Sequence, residues 1–113
     1  MKTYYNDSET AILQSIRLAL GKRSDVLMFR NNTGALKDIN GRLVRFGLGP
    51  GSSDLIGFVV RGGLCLFCAI EVKAPGGARS PAQARFIQIV RDAGGLAGFA
   101  ESVEDAMRIV DAN

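Results

Sequence analysis

Residues 54–73 read DLIGFVVRGGLCLFCAIEVK, and this stretch decides the fold. It holds two runs that are apolar at nearly every position, residues 54–60 and residues 64–72, joined by an Arg-Gly-Gly turn at 61–63. Short apolar runs bounded by glycine pairs are typical of buried strands joined by a tight turn. We therefore expect an antiparallel hairpin of two central strands, covered by other elements on both faces of the sheet.

Three helices are predicted around this hairpin. Asp7 or Ser8 can cap the first, which runs to about Leu20 and stops at a glycine. The second opens on residues 80–83, Ser-Pro-Ala-Gln, a capping box with Pro at the first helical position, and Ser102 caps the third. The residues expected to face the core are Ile12, Ile16, Ala19 and Leu20 in the first helix, Ala82, Phe86, Ile89, Val90 and Ala93 in the second, and Ala106, Ile109 and Val110 in the third.

Three further strands are expected besides the central pair. Val26–Arg30 and Arg42–Phe46 flank the polar, turn-rich residues 31–41, which predicts that these two strands pair as a hairpin with a basic rim. Leu96–Ala100 is a short strand between the second and third helices. The predicted order, α-β-β-β-β-α-β-α, gives an α/β sandwich with a central mixed sheet.

Length and composition limit the kind of protein. The chain has 113 residues, of which 47% are hydrophobic and 22% charged, so we expect one globular domain over residues 1–113. No apolar run approaches the roughly 20 residues of a membrane helix, and no secretory signal is evident, so we expect a cytoplasmic protein without a membrane partner. The absence of histidine excludes histidine catalysis and histidine zinc sites.

The two cysteines, Cys65 and Cys68, form a C-x-x-C that suggests a redox or zinc motif. They lie inside a predicted strand, where residues three apart point to opposite faces. We therefore expect two separate buried core cysteines, which disfavours a thioredoxin-like role.

Basic residues are concentrated in one part of the chain. Six basic and two acidic residues lie between Lys22 and Arg45, in a chain of net charge +3. Such a segment can bind a polyanion, because neutralised phosphates release counterions, and an ordinary solvated surface explains it equally well. The candidate phosphate contacts are Arg30, Lys37, Arg42, Arg45 and Arg79.

Ionisable residues stand at the ends of the two central strands. Asp54 opens the first strand, Glu71 closes the second, and Lys73 follows. Folding at the Gly-Gly turn brings position 54 opposite position 71, and Glu71 and Lys73 share a face because they are two apart. Two clustered carboxylates repel unless a cation lies between them, which favours a hard divalent ion such as Mg²⁺. An ion-paired strand end, with Lys73 neutralising Glu71, fits the same spacing.

The ordered motifs of this chain resemble those of the PD-(D/E)xK nucleases, and most closely the VRR-NUC branch of that superfamily. The likeness spans about residues 8–100, and Ser53 stands where the signature has its proline. The matching segments, in chain order, are a first helix with Glu9, Arg30-Asn31-Asn32, Gly51-Ser52-Ser53-Asp54, Glu71-Val72-Lys73 and Ser80-Pro81-x-Gln83.

The resemblance implies a restriction-endonuclease-like sandwich with a metal held by Asp54, Glu71 and the backbone carbonyl of Val72, and with Lys73 catalytic. It also implies that two further side chains, Glu9 and Gln83, approach the site. Glu9 falls on the apolar side of its helix and is expected to face inward. A first-turn acid favoured by the helix dipole and an ordinary capping-box residue explain these two positions as well.

The resemblance further implies a Mg²⁺- or Mn²⁺-dependent endonuclease that cuts DNA without a small-molecule cofactor. Similar small stand-alone proteins are phage-encoded homodimers that act on branched DNA such as Holliday junctions, during replication, repair or recombination in a bacterial host. Two alternatives stay open. One is a flap-type or sequence-specific nuclease of the same fold, and the other is a non-catalytic nucleic-acid-binding module.

Overall fold

The computed structural model describes residues 8–113, and Asp7, one of the two candidate caps, lies outside the described residues. Residues 8–113 form six strands, one more than the five predicted. No helix in the described part of the chain is long and apolar enough to cross a membrane. The elements are α1 (Glu9–Leu20), β1 (Val26–Arg30), β2 (Gly34–Lys37), β3 (Leu43–Phe46), β4 (Leu55–Arg61), β5 (Leu64–Val72), α2 (Pro81–Asp92), β6 (Leu96–Ala100) and α3 (Val103–Val110).

The central sheet has four strands in the order β1-β4-β5-β6. β4 pairs antiparallel with β1 and with β5, and β6 runs parallel to β5, so the predicted mixed sheet is confirmed. Leu55 lies opposite Ile70, a register that brings position 54 opposite position 71. The turn is made by Gly62 and Gly63 at φ 59° and 78°, in the left-handed region that favours glycine.

Helices pack on both faces of this sheet. On one face, α1 and α3 bury a core that includes Ile16 and Val110 against Val59 and Ile70. On the other face, α2 packs on β5 and β6 through Ile87 and Val90, which cover Ala69 and Ala97. The α/β sandwich expected from the sequence is therefore present, with its helices divided two to one between the faces.

The helices begin at the predicted caps. The hydroxyl of Ser8 accepts a hydrogen bond from a backbone N–H of α1, Ser102 does the same for α3, and Ser80 and Gln83 form both halves of the capping box. The predicted buried stripe of α2 is wrong at Ile89 and at Ala93, which are both exposed, while Ile87 is buried. Since α2 is apolar over more than one stripe, helical period alone did not decide which side faces the sheet.

The hairpin predicted between β1 and β3 is wrong. β1 pairs with β4, and β3 pairs with β2 in a separate two-stranded sheet. Asp38 fixes the turn between β2 and β3, because its carboxylate accepts hydrogen bonds from the backbone N–H groups of Asn40 and Arg42, both through Oδ1. β2 lies in the segment taken for a loop, since its polar neighbours hid a short strand. We call residues 34–46 the arm.

Part of the sheet face that carries α2 is uncovered. The helix reaches β5 and β6, and the apolar side chains of Leu27, Phe29 and Phe67 remain exposed. The prediction that both faces of the central strands are covered therefore fails at the end of the hairpin near the turn. Cys65 lies in this region and is exposed, which corrects the expectation of two buried cysteines; Cys68 is buried.

The two cysteines are expected to differ in reactivity. Burial raises the pKa of the Cys68 thiol to about 12, and only a thiolate attacks a thiol reagent. We expect one fast-reacting thiol in the native protein and two after denaturation, counted by absorbance with a chromogenic aromatic disulfide. Cys65→Ser should remove the fast reaction. Two fast thiols in the native protein would contradict the burial of Cys68.

At Gly57 the backbone of β4 lies close against the backbone of β1. A Cβ at this position would lie 1.9 Å from the carbonyl oxygen of Leu27. We expect Gly57→Ala to lower the free energy of unfolding by about 3 kcal/mol or more, because β1 must move away. The matched control is Gly49→Ala, where a Cβ meets nothing within 4 Å. Equal urea midpoints for the two variants would be inconsistent with this strand packing.

Candidate active site

Three ionisable side chains meet at one end of the β4–β5 hairpin. Asp54 directly precedes β4, Glu71 lies near the end of β5, and Lys73 follows it. The Nζ atom of Lys73 lies 3.8 Å from Oε2 of Glu71. The backbone N–H of Val72 donates a 2.9 Å hydrogen bond to Oδ2 of Asp54. The hairpin register therefore gathers two carboxylates and an ammonium at one edge of the sheet.

The cluster holds too little positive charge to balance its two carboxylates. Glu71 is 4% exposed and Lys73 is 7% exposed. Burial raises the pKa of Glu71 to about 8, and the charge of Asp54 and a hydrogen bond with it add to the effect, while Lys73 opposes it. One lysine therefore does not offset both the desolvation and the repulsion of the second carboxylate.

Lys73 is held in place by the strand beyond it. Its backbone N–H donates a 2.9 Å hydrogen bond to the carbonyl oxygen of Ala100, at the end of β6. The parallel pairing of β5 and β6 leads directly to this contact, because Val72 lies opposite Ala100. The position of the lysine backbone thus depends on a strand that sequence reasoning did not connect to the site.

Asn31 holds the loop before Asp54 in place through hydrogen bonds. The side-chain amide of Asn31 donates to Oγ of Ser52 at 2.8 Å and to the carbonyl oxygen of Ser53 at 2.9 Å. Its backbone N–H donates to the carbonyl oxygen of Asp54 at 2.7 Å. Sequence reasoning gave Asn31 no role of its own, and its place directly after a strand was the available signal. The buried hydroxyl of Ser53 has no hydrogen-bond partner among residues 8–113.

Gln83 and Glu9 approach the cluster from two helices. The Nε2 group of Gln83 donates to Oε2 of Glu71 at 3.1 Å, while its Oε1 accepts from the backbone N–H of Ser80 at 3.0 Å. One side chain thus serves both the capping box and the site. Glu9 is exposed, which corrects the expectation that it faces inward. Its charge nevertheless contributes to the raised pKa of Glu71.

The candidate phosphate contacts fall into two groups. In the part of the chain that the structure describes, no carboxylate forms an ion pair with the four exposed residues Arg30, Lys37, Arg42 and Arg45. Arg79 differs, because its guanidinium lies 3.6 Å from Glu101 and 4.4 Å from the ring centre of Phe99. Arg79 is thus already engaged within the protein.

The donor atoms of the cluster fit a hard cation. Within residues 8–113, no three His, Cys, Asp or Glu side chains are grouped closely enough to hold a metal by themselves. The cluster offers two carboxylates, and Mg²⁺ is commonly bound through one or two carboxylates while it keeps several waters. Zinc sites generally use three or four protein ligands rich in Cys or His, which this cluster lacks.

One protein family matches the chain over nearly its whole length. The family model of the VRR-NUC domain matches residues 7–104, a span that contains Asp54, Glu71, Lys73 and Gln83. No curated protein and no solved structure gives a significant match to the chain. The match covers nearly the whole sequence, and the structure has the mixed sheet flanked by helices that is consistent with this nuclease fold. The chain belongs to the VRR-NUC family, within the PD-(D/E)xK superfamily.

Proposed function

We propose that this protein is a metal-dependent endonuclease that hydrolyses DNA phosphodiester bonds. The observation that carries the proposal is the cluster of Asp54, Glu71 and Lys73, in which two of the three side chains are buried. Membership of the VRR-NUC family supports a nuclease fold and DNA as the substrate class. A buried glutamate beside a second, half-buried carboxylate and an ammonium is costly to maintain for stability alone, so its presence favours a chemical role.

The metal we propose is Mg²⁺ or Mn²⁺, held by Asp54, Glu71 and the backbone carbonyl of Val72. The raised pKa of Glu71 supports this assignment, because a cation between the carboxylates would offset their repulsion. When bound, such an ion supplies Lewis-acid polarisation of the scissile phosphate.

The protein's own side chains would orient the reaction. In hydrolysis, the attacking water loses a proton as its oxygen bonds to phosphorus, the bond to the leaving sugar oxygen breaks, and that oxygen takes up a proton. Lys73 is suited to hydrogen-bond the attacking water or a phosphate oxygen and to stabilise the developing negative charge. Gln83 acts as a positioning residue through its 3.1 Å hydrogen bond to Glu71. Glu9, at the rim, completes the proposed set.

The substrate we propose is branched DNA, such as a Holliday junction, processed during replication, repair or recombination. A homodimer suits such a substrate, because two symmetric sites can address two strands. The setting is the cytoplasm of a bacterial host for a phage-encoded protein. Phosphate contacts would fix the position of the protein on the DNA without reading the base sequence. We assign these contacts to Arg30, Lys37, Arg42 and Arg45, and also to Arg79, which is already engaged with Glu101 and Phe99.

The test is a cleavage panel with a matched variant. Labelled four-way junction, flap, linear duplex and single-stranded DNA are incubated with Mg²⁺, Mn²⁺ or EDTA. Asp54→Asn is the variant, since an amide oxygen can keep the hydrogen bond from Val72 while the charge is lost. We expect metal-dependent cleavage of the junction that is absent in EDTA and in the variant, with binding retained.

Other outcomes of this panel separate the alternatives. Preferred cleavage of the flap, or of one sequence in the linear duplex, would favour another nuclease of the same fold. Binding of DNA without cleavage of any substrate, under both metals, would overturn the enzyme proposal and favour a non-catalytic module.

A further inference from the structure

The arm leaves the rest of the protein beside the candidate active site. Its first strand follows Asn31, which is bonded to the loop before Asp54. Its second strand leads into that loop at Gly47, where φ is 84° and a Cβ would lie 2.7 Å from the carbonyl oxygen of Asn32. The root of the arm is therefore packed against the segment that positions Asp54.

The arm and its flanks account for the net charge of the chain. Residues 26–53 contain four basic residues and one acidic residue, against 14 and 11 in the whole sequence, which leaves ten of each elsewhere. Lys37 and Arg45 lie on one face, because Arg45 is paired with Ala35, two residues before Lys37. Neither cation forms an ion pair with a carboxylate of residues 8–113. This face suits a phosphate backbone.

The opposite face of the arm is apolar and holds the hairpin together. Leu36 lies opposite Val44, and the ring of Phe46 covers Gly34, where a Cβ would lie 2.7 Å from the ring carbons. Apolar cross-strand pairs stabilise a two-stranded sheet, which is marginal when isolated in water. These cross-strand pairs favour formation of the arm, and both of its faces are exposed to solvent.

The tip of the arm presents an isoleucine on an ordered turn. The carboxylate of Asp38 binds two backbone N–H groups, and the N–H of Gly41, at φ 78°, donates to the carbonyl oxygen of Asp38 at 3.0 Å. Ile39 stands on this turn and is 99% exposed. At about 3.3 Å per residue, the strands place the tip roughly 15 Å from the root. Ile39 makes no contribution to the core.

We propose that the arm is a DNA-contacting element that favours branched or distorted DNA, with Lys37 and Arg45 on the phosphate backbone and Ile39 inserted where base stacking is interrupted. This rests on the proposed function in taking DNA as the ligand. Apolar side chains carried beside cations act as wedges between base steps, and unstacking costs least where pairing is already broken. Ile39 then determines selectivity, whereas the two cations bind all DNA alike.

Binding in EDTA tests the proposal without cleavage. Fluorescence anisotropy is measured for a four-way junction and for a linear duplex of the same sequence. We expect Ile39→Ala to weaken binding of the junction about tenfold and binding of the duplex less than about twofold, on the scale of one lost base-step contact. Leu18→Ala, at an α1 side chain that is 68% exposed, is the matched control and should change neither.

Substitution of the two cations gives an independent test. We expect Lys37→Ala with Arg45→Ala to weaken both DNAs alike and to reduce the slope of log affinity against log salt by about 0.9 for each lost phosphate contact. A 2-aminopurine base at the branch should brighten on binding of the wild-type protein and less with Ile39→Ala, because unstacking relieves its quenching.

Three outcomes would overturn the proposal. These are an unchanged ratio of junction to duplex affinity in Ile39→Ala, unchanged DNA affinity in the double variant, and a lower sedimentation mass for Ile39→Ala, which would assign the tip to contact between copies. Wild-type protein that binds as expected and cleaves nothing with Mg²⁺ or Mn²⁺ would refute the nuclease and leave the role of the arm standing.

Discussion

Lys73→Met is expected to lower the rate of DNA cleavage about a hundredfold to a thousandfold, the usual effect of removing one group that stabilises transition-state charge. Methionine keeps an unbranched apolar stem of similar length and removes the ammonium. Because Lys73 is 7% exposed, its charge acts with little screening by water, and its loss is felt fully at the reacting phosphate. Single-turnover cleavage of the preferred substrate measures the effect.

The control for this prediction is Lys22→Met, at an exposed lysine just after α1, which should cleave within about twofold of wild type. Thermal unfolding of both variants is needed as well, since loss of Lys73 leaves Glu71 buried beside Asp54 with less positive charge. If Lys73→Met cleaved normally at saturating DNA and only bound more weakly, Lys73 would be a binding residue and the proposed role would be wrong.

The metal-free protein is expected to lose stability as the pH rises from about 4.5 to about 8. The pKa of Glu71 is raised from 4.5 to about 8 in the folded state. Between these values the folded state keeps a proton that the unfolded state releases, so the free energy of unfolding falls as pH rises. This contribution is complete below pH 4.5 and is lost as pH passes through about 8. Urea unfolding at a series of pH values measures it.

Mg²⁺ should reverse this loss. A cation that binds the ionised carboxylates stabilises the folded state most at pH 8, where metal-free protein is weakest. Glu71→Gln should flatten the pH dependence and remove most of the response to Mg²⁺, whereas Glu104→Gln, at an exposed glutamate on α3, should change neither. A stability that is constant or rises between pH 5 and pH 8 in metal-free wild type would contradict the electrostatics described for the cluster.

The elements that sequence predicts well are those set by local chemistry. The Gly-Gly turn, with apolar runs on both sides, defines β4 and β5 and brings positions 54 and 71 opposite each other. The capping box likewise fixes the start of α2, because serine, proline and glutamine each satisfy a separate requirement of a helix N-terminus. Both features depend on residues close together in the chain, so they can be read from one sequence.

The features that sequence missed depend on distant partners. The pairing of β1 with β4 rather than β3 is a choice between strands, which alternation alone does not settle. The exposure of Phe29 and Phe67 follows from the length of sheet that one helix can cover, and the contacts of Asn31 and Ala100 follow from the packed loop and from β6. None of these appears in the local pattern of residues.

The hydrogen bond between the backbone N–H of Lys73 and the carbonyl oxygen of Ala100 determines how much of the chain must be synthesised before the site can form. A chain emerging from the ribosome contains Asp54, Glu71 and Lys73 before it contains β6. At that stage β5 lacks the strand that pairs with it along this edge, and the backbone N–H of Lys73 lacks its acceptor, the carbonyl oxygen of Ala100. The arrangement arises only when the parallel crossover closes, so nascent chains carry the chemical groups of the site before they carry its geometry.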